Sequence, residues 1–103
     1  MVGIQEEIFE NLNCLKMDNG QLALWLTRDF GPRVIGCSLP EGENLLVVLP
    51  DAKIPVKDKE DYSLRGGHRL WYAPERPETT YIADDQPPEI EEIPGGVRLI
   101  QPV

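Results

Sequence analysis

The sequence predicts an all-β protein, an antiparallel β-sandwich, and three observations predict it. Apolar residues come in short, mostly alternating runs, the period-2 signature of strands, and no stretch sustains a helical period. Turn signals such as Asn19-Gly20, Gly31-Pro32 and Pro94-Gly95-Gly96 separate the runs. Gly and Pro together make 19 of the 103 residues, high for a helical protein but below the roughly 25–30% of low-complexity chains. The length suits a single domain over 1–103, since domains usually run to roughly 100–150 residues.

Each element follows from local pattern. Residues 8–17 read as a first strand, with Asp18-Asn19-Gly20 as its exit. Asn-Gly between apolar runs marks a hairpin because both residues tolerate positive φ. Residues 21–28 form the next strand, with Leu22, Leu24 and Leu26 on one face and Ala23, Trp25 and Thr27 on the other. Two apolar faces predict a central strand covered on both sides. Residues 29–32 turn, 33–39 return as a strand, and 45–49 follow as a buried strand stopped by Pro50. Residues 51–62, where Lys53, Lys57 and Lys59 sit among acids and prolines, read as an exposed loop. Prolines 77, 87 and 88 exclude a regular helix from the acidic stretch 75–92. Short extended pieces are expected at 79–82 and 89–93, then a turn at 94–96 into a strand over 97–101.

Charge and motifs remove several function classes. Eighteen acids against 10 bases leave a net charge of −8, which argues against nucleic acid and anionic membranes as partners. The start of the chain has neither a basic n-region nor an apolar h-region, so no secretory signal is expected. The longest apolar run, 45–49, is far short of the ~20 residues that span a bilayer. Cys14 and Cys37 are isolated, with no CxxC, and read as reduced thiols of a cytoplasmic protein. One histidine and two distant cysteines make no zinc set, and no glycine-rich phosphate loop is present, so no cofactor is expected.

One segment carries candidate chemistry. Arg65-Gly66-Gly67-His68-Arg69-Leu70-Trp71-Tyr72-Ala73-Pro74-Glu75 sets two guanidiniums, the one imidazole, an indole and a phenol beside a Gly-Gly pair. Guanidiniums offer planar forks of donors to hydroxyls, carboxylates or phosphates, and an indole offers a flat apolar wall. Such a pairing of aimed polar groups with an apolar wall suits a small, hydroxyl-rich ligand such as a sugar. Packing explains the same residues: Trp71 and Tyr72 as core, Arg69 paired with an acid, His68 satisfied internally, and Gly-Gly as a bulge or turn. Ser63 and His68 could be drawn into a triad with an acid, but no nucleophile elbow supports it.

Two stretches resemble the N-terminal part of galactose mutarotase-like proteins of the aldose-epimerase superfamily. The first is Asn19-Gly20-Gln21-Leu22-Ala23-Leu24-Trp25-Leu26 through Phe30-Gly31-Pro32-Arg33-Val34-Ile35-Gly36-Cys37-Ser38-Leu39, with Glu43-Asn44-Leu45-Leu46. The second, more specific, is Leu64-Arg65-Gly66-Gly67-His68-Arg69-Leu70-Trp71-Tyr72-Ala73-Pro74-Glu75. The resemblance implies a partial β-supersandwich and a sugar pocket to which Arg65, His68, Arg69 and Trp71 contribute. It also implies that the Glu base and His acid of ring opening follow this portion of the protein, so that residues 1–103 alone bind without catalysing. His68 matches the signature histidine and not the family's catalytic acid.

Two function classes therefore stand side by side. One is the carbohydrate-binding N-terminal portion of a longer mutarotase-like protein. The other is a non-enzymatic β module that assembles through exposed strand edges. The second draws on the apolar strand over 97–103, whose edge needs cover from further chain or from another copy. Either class predicts a homo-oligomer, because strands 22–26 and 45–49 ask for more cover than one small domain supplies.

Overall fold

A computed structural model describes residues 2–57, 60–69 and 85–101. These hold nine strands and no helix: β1 (Gly3–Phe9), β2 (Leu12–Asp18), β3 (Ala23–Thr27), β4 (Arg33–Ser38), β5 (Val48–Ile54), β6 (Tyr62–Gly66), β7 (His68–Arg69), β8 (Glu89–Ile93) and β9 (Gly96–Ile100). The protein is all-β, and every pairing among the described strands is antiparallel. A five-stranded sheet runs β1-β2-β3-β4-β7, while β5-β6 and β8-β9 are separate ribbons.

The first strand expected over 8–17 is two strands. Glu10 and Asn11, at φ 51° and 63°, form a two-residue turn that pairs β1 with β2 from Phe9–Leu12 to Gly3–Asp18. Positive φ at both central residues is the twist a tight hairpin requires. Glu rarely accepts it, so periodicity ran straight through the turn. The Asn19-Gly20 turn forms as expected. Asn19 Oδ1 accepts the N–H groups of Gln21 and Leu22 at 2.8 Å each, and Gly20 takes φ 86°.

β3 lies at the middle of the sheet, as its two apolar faces predict. Register assigns the faces. Phe9, Cys14, Lys16, Trp25, Thr27 and Ser38 share one, and Ile4, Ile8, Leu15, Met17, Leu24 and Leu26 share the other. On the first, Phe9 stacks on Trp25 at 4.5 Å, and Trp25 Nε1 donates to Glu7 Oε2 at 2.6 Å. Cys14, Ala23, Trp25 and Ile35 form the buried cluster, with Phe9, Leu12 and Val48 packed on it. Val48 belongs to β5, so the β5-β6 ribbon supplies the second layer of a sandwich-like fold. A bulge opposite Trp25 brings Gly36 under the rings, where a Cβ would come within 2.9 Å of both Phe9 and Trp25.

Two expectations fail in the middle of the chain. Residues 45–49 are not a buried strand: Leu45, Val47 and Leu49 are 68%, 65% and 38% exposed. The strand starts at Val48 and runs through Pro50 to Ile54, so 51–62 is not simply a loop, and Tyr62 is buried at the start of β6. Proline is tolerated because β5 is an edge strand of an irregular ribbon whose register shifts between Leu49 and Lys53. The chain before β5 is held by Asn44 instead. Its side chain accepts from Cys37 N and donates to the Ile35 carbonyl, a ladder rung made by a side chain along the edge of β4.

The expected strand over 89–93, turn at 94–96 and following strand are present as β8 and β9, with Gly95 at φ 77°. The extended piece expected at 79–82 lies outside the described residues.

Candidate functional site

The segment from Arg65 to Arg69 is where the chain leaves the β5-β6 ribbon and joins the five-stranded sheet. Arg65, Gly66 and Gly67 take φ values of 61°, 85° and 72°, three left-handed residues in succession. Glycine is required at the last two for space as well as angle. A Cβ at Gly66 would sit 2.0 Å from the Val47 carbonyl oxygen, and one at Gly67 would sit 2.3 Å from that of Val34. Gly67 N donates to the Val47 carbonyl at 2.7 Å. The Gly-Gly pair is thus a turn squeezed between two backbones, the packing role that the sequence left open.

Three guanidiniums gather at this junction. Arg33 is 3% exposed and donates through one nitrogen to the carbonyls of Leu64 and Gly66, at 2.6 and 2.7 Å. Arg65 lays its guanidinium 3.8 Å over the Phe30 ring and pairs with Asp85 at 2.7 Å. Arg69, directly across from Arg33, sits 5.0 Å from the Tyr62 ring centre and donates to the Tyr62 hydroxyl. Aromatic faces favour cations electrostatically and fix the planes of these donors.

His68 stands apart. It pairs with Val34 and therefore projects to the opposite face of the sheet from Arg69; it is exposed. Arg65 and Arg69 are brought to one junction, and His68 is not placed with them. Trp71 lies outside the described residues.

Arg33, Phe30, Tyr62 and Asp85 belong to the junction and were not singled out from sequence. A signal existed for Arg33, a lone charge opening the apolar run 33–39. Nothing local announces Asp85, 20 residues from Arg65 and one acid among many.

Both cysteines are free. Burial, with the charges of Asp29 and Glu7 adding to it, pushes the Cys14 thiol up to about 11, against a hydrogen bond with the Phe9 backbone that lowers it. At neutral pH it is a packed thiol and no nucleophile. Among the described residues no group of three His, Cys, Asp or Glu side chains is disposed to hold a metal ion. No described helix is long and apolar enough to cross a membrane.

Comparison with known proteins yields no relative. No family model, curated protein or solved structure matches the chain.

Proposed function

We propose that this chain is a carbohydrate-binding β module, the N-terminal portion of a galactose mutarotase-like protein that works in the cytoplasm and binds sugar without transforming it alone. The observation that supports this reading most is the pair of ring-seated guanidiniums at Arg65 and Arg69, brought to one junction by the Gly-Gly turn. Preorganised guanidinium donors suit ring hydroxyls or an acid group on a sugar. Proton transfer at the anomeric centre needs a placed acid and base, and the lone imidazole supplies one at most. Titration with methyl β-galactoside and methyl β-glucoside, followed by calorimetry, tests it. Arg65→Lys and Arg69→Lys each reduce affinity about tenfold, the loss of one charge-assisted hydrogen bond. Unchanged affinity in both variants would sink the reading.

A second reading has its own observation. Leu45, Val47 and Leu49, spaced two apart and exposed, leave an apolar stripe uncovered beside β4. An assembly module joining copies of this chain would bury it. Light scattering on Val47→Lys should give a smaller mass than wild type, and a wild-type mass of 11.6 kDa would refute this reading.

A further inference from the structure

β1 is an edge strand, and its register tells which of its backbone groups are left unpaired. Its seven residues face β2 without a bulge, and no other described strand lies beside it. The two-residue turn at Glu10 and Asn11 makes Phe9 and Leu12 a hydrogen-bonded pair, because a tight hairpin closes on such a pair. Bonded and non-bonded pairs alternate along an antiparallel ladder, so Glu7, Gln5 and Gly3 also turn their N–H and C=O groups towards β2. Ile4, Glu6 and Ile8 turn theirs outward. The Asn13 carbonyl fixes the same phase: Asn13 lies opposite Ile8, and its carbonyl accepts from Arg28 N at 3.0 Å, away from β1. Three donors and three acceptors thus stand in a row along the outer edge.

The side chains decide what can pair there. Edge strands are commonly closed to partners by proline, lysine, a bulge or brevity, and β1 has none of these. Its charge is acidic instead. From Gly3 to Asp29 the acids are Glu6, Glu7, Glu10, Asp18 and Asp29, and the bases are Lys16 and Arg28. Arg28 bridges Glu6 at 3.1 Å, and Lys16 pairs with Asp18 at 3.8 Å. Glu7 accepts from the neutral Trp25 indole and Asp29 from the neutral Asn13 amide, so Glu7, Glu10 and Asp29 keep charge that no described cation offsets. A second copy pairing at this edge would set acid against acid, which is unfavourable. Ile4 and Ile8 share the face of Glu6, and Ile8 is 72% exposed. The edge is apolar at its two ends and acidic between them. Its complement is a strand with apolar residues opposite Ile4 and Ile8 and cations opposite Glu6 and Glu7.

We infer that the outer edge of β1 takes an extended basic segment of a partner protein as an added antiparallel strand. Main-chain bonds to Ile4, Glu6 and Ile8 supply the affinity, and cations beside Glu6 and Glu7 select the partner. The probe is the acetylated, amidated peptide Thr-Val-Lys-Lys-Thr-Val-Thr, which places its valines opposite Ile8 and Ile4, added to the whole chain. The expected result is amide shifts centred on residues 3–9, slowed hydrogen exchange at Ile4, Glu6 and Ile8, and affinity that falls as salt rises. The same peptide N-methylated at both valines keeps its charge but loses two donors, and should bind at least about tenfold more weakly. Equal binding would make the contact purely electrostatic and overturn strand addition. With both lysines replaced by glutamate, binding should be lost; a retained affinity overturns the basic partner. Shifts centred on 45–49, or no shift with any of the peptides, overturn the edge as the site. Exchange protection at the three amides that appears without peptide and grows with protein concentration makes a second copy the occupant, and overturns the proposal too. Ile8→Pro removes an outward N–H that makes no bond to β2, and should weaken binding by a similar factor. Unchanged affinity in that variant would count against the assigned phase of the edge.

Discussion

Two glycine contacts, one beneath the aromatic rings and one at the junction, show how differently a missing side chain can be used. Gly36 makes room for Phe9 and Trp25, so its would-be Cβ meets side-chain atoms at 2.9 Å. Gly66 and Gly67 instead meet the carbonyls of Val47 and Val34 at 2.0 and 2.3 Å, with φ far into the left-handed region. Side chains can shift a few tenths of an ångström at modest cost, but a carbonyl fixed in a strand cannot. The first contact is a matter of core packing; the second decides how two layers of the molecule are joined.

The largest effect is therefore expected at the junction. Gly67→Ala should cost about 4 kcal/mol or more, combining backbone strain with a clash that nothing nearby can relieve. Failure to fold, or a deep fall in urea midpoint, is the outcome to look for. A loss below about 1 kcal/mol would break the comparison. Arg33→Met comes next, at about 3 kcal/mol, because it strips the Leu64 and Gly66 carbonyls of a buried charged donor. Equilibrium urea unfolding with an unchanged slope would measure it, and wild-type stability would show the carbonyls to be satisfied otherwise. Gly36→Ala should cost only about 1–3 kcal/mol, as the rings give way, and near-ultraviolet circular dichroism should report the displaced Trp25. Should it match Gly67→Ala, the distinction between yielding and fixed neighbours is wrong. The smallest change has the opposite sign. Glu10→Asn with Asn11→Gly supplies the residues that the β1–β2 turn asks for and should add about 0.5–1 kcal/mol, seen as a rise in Tm.

What could be read from the amino acids divides along the same line. The all-β class, the central place of β3, the Asn19-Gly20 turn and the β8–β9 hairpin depend on local alternation and turn chemistry, and each was legible. The Glu10-Asn11 turn was not, since Glu at positive φ carries no turn signal. Nor was the fate of residues 45–49. An apolar run predicts burial only where some other element arrives to cover it, and Asn44 pins this run along the edge of β4 with its side chains outward. The candidate site shows the same limit. Arg65 and Arg69 were visible as residue types, but Phe30, Tyr62 and Asp85 are brought to them only by tertiary packing. Strand alternation then sends His68 to the other face, which proximity in sequence conceals.

The outer edge of β1 has a consequence for how the protein behaves in bulk. It forms one end of the five-stranded sheet and carries Gln5, Glu6 and Glu7, with Ile8 72% exposed beyond them. Two molecules meeting edge to edge would bring those carboxylates together, so charge acts as a colloidal guard on a row of amides that no other described strand pairs. Net repulsion between molecules vanishes at the isoelectric point near 4.5. Turbidity followed downward from pH 7 should rise there, and Glu6→Gln with Glu7→Gln should move the onset to higher pH. A shared onset for both proteins would place the guarding charge elsewhere. Purification and storage well above that pH keep the edge protected.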